Sequence, residues 1–201
     1  MITTSIHKIA ALLLSLVLLA SCSKTNTDPS KGNNSGASVP DNLHIAFATP
    51  DWQKQIDCTH LDMPPYAVSE DLLAISGTSA STLVTFYFVY PRKSVDVALA
   101  TNIKKYGVSD VAAIESPFQI AMKLPLDDDK LDAAHGRLVS NAGNSADEYT
   151  EITGIEKTGT EGDFDVYNIK GKYAFTGRVL PENGVSKKVT GTFHFKIKAA
   201  K

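Results

Sequence analysis

The sequence predicts an all-β protein, either an antiparallel β-sandwich or a partly open barrel with one or two short helices. Two segments near the carboxyl end repeat the pattern glycine, any residue, aromatic, any residue, aromatic, at residues 171–175 and 191–195. Upstream of them, short runs of alternating apolar and polar residues are separated by glycine, proline, asparagine and aspartate. Alternation of this kind predicts half-buried strands, and there are about eight of them.

The two repeated segments predict a hairpin, because Pro-Glu-Asn-Gly at residues 181–184 is typical of a tight turn. A three-residue loop there sets the register and places each repeated glycine opposite an aromatic ring. The predicted opposite pairs are Tyr173 with Phe193, Phe175 with Gly191, and Gly171 with Phe195. One face of the hairpin is then apolar and the other carries lysines, so we expect one face in the core and one in solvent.

Residues 1–21 have the order of a secretory signal peptide: one early cation, Lys8, then the apolar run 9–20 and small residues. The run ends in Leu-Ala-Ser-Cys at residues 19–22, which resembles the lipobox of bacterial lipoproteins. The resemblance implies that the signal is removed before Cys22 and that Cys22 carries the lipid. Two or three acyl chains would hold the protein on a membrane without a transmembrane helix.

Residues 22–41 predict a flexible tether, since they are rich in Ser, Thr, Asn, Gly and Pro and have no apolar residue larger than Val39. A chain of this length has a root-mean-square reach of about 25 Å. Residues 42–201 are then expected to form a single β-rich globular domain.

The location that the resemblance implies is the outer membrane. Enteric lipoproteins that are kept at the inner membrane have aspartate directly after the lipidated cysteine, whereas this chain has Ser23. No acidic cluster follows Cys22, which favours the periplasmic face over the cell surface. The formal net charge is −2, with both signs spread along the chain. That balance argues against a nucleic-acid partner.

In chain order, residues 43–48 predict a first strand, residues 51–71 an irregular segment and residues 72–76 a second strand. Residues 82–90 are apolar on both faces. Such a strand either lies in the middle of a covered sheet or exposes its aromatic face of Phe86, Phe88 and Tyr90.

Over residues 94–107 the spacing of apolar residues changes from the two-residue period of a strand to the period of a helix. A helix capped by Ser94 is therefore favoured there. Its apolar stripe would consist of Val95, Ala98, Leu99, Ile103 and Tyr106. Alternation of Val95, Val97 and Leu99 leaves a strand open as the alternative.

The remaining chain predicts strands at residues 118–124, 138–139, 149–157 and 164–169, with an acidic turn or short helix at 126–136. A bulge near Gly171 joins the last of these strands to the hairpin. With Ile-Ser-Gly at residues 75–77, the lipobox, the tether and the closing aromatic strands, the chain is similar to small lipoproteins common in Bacteroidetes. That group carries no shared activity.

Few residues predict chemistry. Cys58 with His60 two residues on could act as a nucleophile and its base, but a small buried hydrophobe is the favoured interpretation. The four histidines that follow the predicted signal peptide, His44, His60, His135 and His194, lack the spacing of a metal site. Asp127, Asp128, Asp129 and Asp132 lack the pattern of a calcium loop and predict a solvated acidic loop. We therefore predict no catalytic residue, metal or cofactor.

Trp52, the only tryptophan, is the candidate ligand-binding residue, because an exposed indole stacks well on a sugar ring. The alternative is a ring that closes one end of the core. The predicted function is a lipid-anchored binding module for a glycan, a peptide or an envelope polymer. A structural or assembly lipoprotein that partners other envelope proteins is the alternative, and a hydrolase comes third.

Overall fold

The computed structural model describes residues 38–113, 116–127, 136–181 and 184–201. It confirms the all-β class: one curled antiparallel sheet forms a half-barrel, with very little helix. The strands are β1 (His44–Ala48), β2 (Gln53–Asp57), β3 (Tyr66–Ala67), β4 (Leu72–Thr78), β5 (Thr85–Pro91), β6 (Lys105–Tyr106), β7 (Ile120–Pro125), β8 (Arg137–Val139), β9 (Tyr149–Glu161), β10 (Phe164–Leu180) and β11 (Ser186–Ala200). The helical turns are α1 (Ser94–Val97) and a 3-10 turn (Ala100–Asn102).

The sheet runs in the order β2-β1-β11-β10-β8-β7-β5-β4-β3, and β9 pairs with β10 and β6 beside this path. The short strands β2 and β3 lie at its two ends. Curling brings β5 and β11 together, and the backbone N–H of Ala200 donates a 2.7 Å hydrogen bond to the carbonyl of Arg92. Among the described strands, the two ends of the path are not paired with each other, so the barrel stays open on that side.

The core fills the inside of the curl with aromatic rings. Phe86 of β5 stacks on Phe195 of β11, with 4.9 Å between ring centroids and 5° between planes. Phe88 packs on Phe193 at 5.2 Å. The alternative of an exposed aromatic face on β5 is therefore wrong, because Phe86, Phe88 and Tyr90 are all buried in this core.

The hairpin of β10 and β11 exists with the predicted faces, but the predicted register is wrong by two residues. Gly171 lies opposite Phe193 and Tyr173 opposite Gly191, whereas Phe175 faces Val189. A two-residue slip keeps every side chain on its face, so alternation alone does not distinguish the two registers. The bulge is confirmed as a register shift between Lys170 and Gly171 against β9. Residues 182–183 of the turn lie outside the described residues.

The favoured helix over residues 94–107 is wrong beyond its first turn. Only Ser94–Val97 is α-helical, and Lys105–Tyr106 is a strand paired with β9. Tertiary contacts override the helical spacing of the apolar residues in this segment. The Ser94 hydroxyl, for example, does not cap the helix but forms a hydrogen bond with Asp165, which is distant in the sequence.

The irregular segment expected at residues 51–71 is also wrong, since it contains β2 and β3. β2 has a single apolar residue, Ile56, so its sequence shows no apolar alternation. β2 pairs with β1 through backbone hydrogen bonds, and the pattern of its side chains does not predict that pairing. Residues 128–135 of the expected acidic turn lie outside the described residues.

Candidate functional site

A cavity of about 320 Å³ opens beside the gap between the two ends of the sheet. We call it the mouth cavity. β2 supplies Ile56, the segment after β2 supplies Leu61, and β5 supplies Phe86 as the floor. The turn from β4 to β5 supplies the remaining lining residues, Gly77, Thr78, Ser79, Ala80 and Ser81.

Gly77, the glycine of the Ile-Ser-Gly motif, shapes the floor of the mouth cavity. It lies opposite Phe86 across the β4–β5 pair. A Cβ at position 77 would stand 2.9 Å from Phe86 Cε1, well inside van der Waals contact. The absence of a side chain therefore lets the phenyl ring lie flat along β4.

Hydrogen bonds within the β4–β5 turn hold the polar rim of the cavity. The Leu83 N–H donates to the Ser79 carbonyl at 2.7 Å, and the Ser79 N–H to the Val84 carbonyl at 2.9 Å. The hydroxyls of Thr78 and Thr85 share a 3.0 Å hydrogen bond. The rim is thus pre-formed. A ligand therefore loses less binding free energy to the entropic cost of ordering the rim.

The lining of the mouth cavity is mostly apolar. Its lining is an aliphatic and phenyl surface with three hydroxyl groups, and none of these described residues carries a carboxylate, imidazole, thiol or ammonium group. A neighbouring cavity of about 80 Å³ shares Leu61 and is bordered by Asp62, Lys196 and Lys198. An apolar group would fit the first cavity, with charged groups next to it.

No protein-family model, curated protein or solved structure matches the chain.

Trp52, the predicted ligand-binding residue, is buried beside the core. Its ring meets Phe47 edge to face at 5.1 Å, and its indole N–H donates to the Leu126 carbonyl at 3.4 Å. It is only 9% exposed, so little of its face is available for stacking on a sugar. This geometry gives the ligand-binding prediction no support and matches the alternative of a ring that closes the core.

Cys58 is a buried free thiol, and burial raises its pKa to about 11, with the nearby Asp57 carboxylate adding to the effect. A thiol with so high a pKa is a poor nucleophile at neutral pH. His60 is exposed. This geometry favours the interpretation of Cys58 as a small buried hydrophobe.

His44 and His194 lie opposite each other on β1 and β11, both buried. The His44 Nδ1–H donates to the Asn42 carbonyl at 2.7 Å, and its Nε2 accepts from the Thr192 hydroxyl at 2.9 Å, which is the neutral tautomer. The ring of His194 has no hydrogen-bond partner among the described residues; the carbonyls of Asp41 and Asn42 are near it but outside hydrogen-bond geometry. Burial lowers the pKa of both imidazoles.

The other candidate metal ligands that the structure describes do not form a metal site. Over the described ranges, no group of three His, Cys, Asp or Glu side chains is placed to hold a metal ion. Asp127 forms an ion pair with Lys187, with 3.2 Å between Oδ1 and Nζ. Cys22, His135, Asp128, Asp129 and Asp132 lie outside the described residues.

A buried polar cluster that sequence reasoning missed joins α1 to β10. The Ser94 hydroxyl lies 2.6 Å from Asp165 Oδ2 and 2.7 Å from the Tyr167 hydroxyl. Lys157 Nζ lies 2.8 Å from the same carboxylate. The bonds from Lys157 and Ser94 lower the pKa of Asp165 to about 2. Since each member has a partner, the cluster fastens α1 to the sheet.

Proposed function

We propose that the protein is a lipid-anchored binding module of the bacterial outer membrane, attached through acyl chains on Cys22 and facing the periplasm. The lipobox at residues 19–22 and the polar segment after it support the anchor. In the part of the chain that the structure describes, no helix is long and apolar enough to cross a bilayer. The mouth cavity is the proposed ligand site.

The observation that carries the proposal is an apolar cavity beside a strand edge. β3 pairs with β4 only at Leu73 and Ala74, so over the described residues β5 is the only strand partner of residues 76–78. An extended peptide could add to this edge and place one apolar side chain over Phe86. Of the three expected ligand classes, the peptide is therefore favoured over a glycan or another polymer.

The test is a selection of peptides from a displayed library on the full-length lipidated protein in detergent micelles. We expect the selected peptides to share a large apolar residue. Leu61→Gln should weaken their binding at least about tenfold, because losing the burial of a leucine costs about 1.5–3 kcal/mol. Val68→Gln is the matched control, since Val68 is a similarly exposed aliphatic residue that does not line the cavity.

Two outcomes would contradict the proposed site. Selection might yield no apolar motif, or the selected peptides could bind Leu61→Gln and the unchanged protein equally well. The anchor is tested separately: Cys22→Ala should abolish acyl labelling and release the protein from membranes. Cys58→Ala, which removes the only other cysteine, should leave the label in place.

The assembly alternative requires an exposed apolar patch. Val95, Leu99 and Ile103 form such a patch, and the charges around it favour a lipid occupant over a protein partner.

A further inference from the structure

The segment from α1 to β6 presents three large aliphatic side chains to water. Val95 is 64% exposed, Leu99 50% and Ile103 52%. Single exposed aliphatic residues are ordinary on a protein surface, but three on one short segment form a patch that calls for a partner. We call these three residues the aliphatic patch.

Hydrogen bonds hold the aliphatic patch in place. Asn102 Nδ2 donates to the carbonyl of Asp96 at 2.7 Å and to that of Val97 at 3.1 Å. These bonds tie Asn102 back to the helical turn, and Leu99 lies in the part of the chain that they close. Val97 is buried, and Ser94 is fastened to Asp165. The exposure therefore belongs to an ordered loop.

The charged residues that flank the patch in the sequence are mainly lysines. Lys93, Lys104 and Lys105 flank the three aliphatic residues, and Asp96 is the only acidic residue between them. Lys104 Nζ lies 5.2 Å from the centroid of the Tyr106 ring, and Lys105 Nζ lies 4.1 Å from that of Tyr149. Aliphatic residues bordered by lysine and tyrosine match the interface of an anionic bilayer, where acyl chains lie beneath negative headgroups.

The patch also lies within reach of the predicted anchor. Asp41, the last residue of the predicted tether, forms an ion pair with Lys170 of β10. Lys170 is five strand residues, about 17 Å, from Asp165, to which the patch segment is fastened. The tether predicted from the sequence reaches about 25 Å. A tether of that predicted length would allow a bilayer that holds Cys22 to meet the patch.

We propose that the aliphatic patch inserts into the interface of the membrane that carries the Cys22 lipid. The inference rests on the proposed anchor. It adds a second membrane contact, which sets the orientation of the domain and hence the direction in which the mouth cavity opens.

The test uses full-length lipidated Leu99→Cys protein, labelled at position 99 with an environment-sensitive fluorophore. The other two cysteines do not compete, because Cys58 is buried and Cys22 is blocked by its lipid. The protein is placed on vesicles of phosphatidylethanolamine and phosphatidylglycerol that contain brominated acyl chains. We expect a blue-shifted emission and several-fold stronger quenching than for a label at Val68→Cys, an exposed aliphatic position outside the patch.

Three results would overturn the proposal or its basis, and they are distinguishable. If the protein floats with the vesicles but both labels are quenched equally weakly, the anchor stands and the patch does not contact lipid. If the protein does not float, the anchor itself is wrong. If the unlabelled Leu99→Cys variant crosslinks into a dimer through its introduced thiol, a second copy covers the patch and the patch is a protein interface.

Discussion

The half-barrel has a closed wall, formed by β1, β10 and β11, and an open side with the mouth cavity. β10 and β11 have 17 and 15 residues, whereas the end strands β2 and β3 have 5 and 2. In the wall, Tyr173 covers the backbone of Gly191 and donates its hydroxyl to the Ala46 carbonyl at 2.9 Å. On the open side, a phenyl ring faces a void of about 320 Å³.

The difference between the two regions indicates that the wall mainly stabilises the fold, whereas the open side is available for binding. Close packing at Gly191 and burial of the aromatic rings stabilise the wall, so the open side is able to keep partly exposed apolar residues such as Leu61. Substitutions in the wall should therefore change stability, and substitutions at the mouth cavity should change binding.

The largest effect is expected for Gly191→Ala in the wall. The new Cβ would overlap the Ala46 carbonyl oxygen and stand 2.6 Å from Tyr173 Cζ, so β1 and the ring would both have to move. We expect a loss of about 3 kcal/mol or more in the free energy of unfolding, measured by urea denaturation. Gly159→Ala in β9 is the control, because a Cβ there meets nothing within 4 Å. Equal urea midpoints for the two variants would contradict the close packing of the wall.

A smaller effect is expected for Ser94→Ala, which leaves the buried oxygens of Asp165 and Tyr167 without the serine hydroxyl as a partner. The expected loss in the free energy of unfolding is about 1–3 kcal/mol. Ser81→Ala at the rim of the mouth cavity is the matched change, and being exposed it should cost less than about 0.5 kcal/mol. A similar loss for both serines would remove the contrast between the two regions.

Acid should weaken the wall in two stages. Burial lowers the pKa of His44 and His194, and Lys170 adds to the effect at His194. The unfolded chain then binds more protons, so their contribution is complete above about pH 6.5 and is lost as pH falls below it. Glu161 and Asp165, whose pKa values are lowered to about 2 by their hydrogen bonds, add a second loss below about pH 4.5.

Urea midpoints measured from pH 7 to pH 5 isolate the first stage. His194→Gln should flatten the dependence, whereas His60→Gln, at an exposed position, should leave it unchanged. Identical pH profiles for the two variants would show that His194 is not the source of the first stage.

The smallest effect on stability is expected for Leu61→Gln in the mouth cavity. Leu61 is 44% exposed, so its replacement should change the free energy of unfolding by less than about 0.5 kcal/mol while it weakens peptide binding. Calorimetric unfolding of the full-length protein checks this, and a loss comparable to that of Ser94→Ala would place Leu61 in the core instead.

Much of the wall could be predicted because its strands are half buried. Alternation assigned Tyr173, Phe193 and Phe195 to the core face, where the structure has them. The mouth cavity was not predictable in the same way. Of its lining residues the sequence singles out only Gly77, as part of a motif without assigned chemistry, and Phe86, for an exposed face that the fold buries.

The sequence determined the fold class, most strands and the inward face of the β10–β11 hairpin, because alternation with a period of two is a local property. Tertiary structure alone decided the hairpin register, the pairing of β2 and the break in the helix after Val97. The physical reason is that these features depend on contacts between distant residues: a ring on a glycine, a backbone ladder at an edge, and the Ser94 hydroxyl on Asp165. The mouth cavity belongs to the same class, since its walls meet only when the sheet curls.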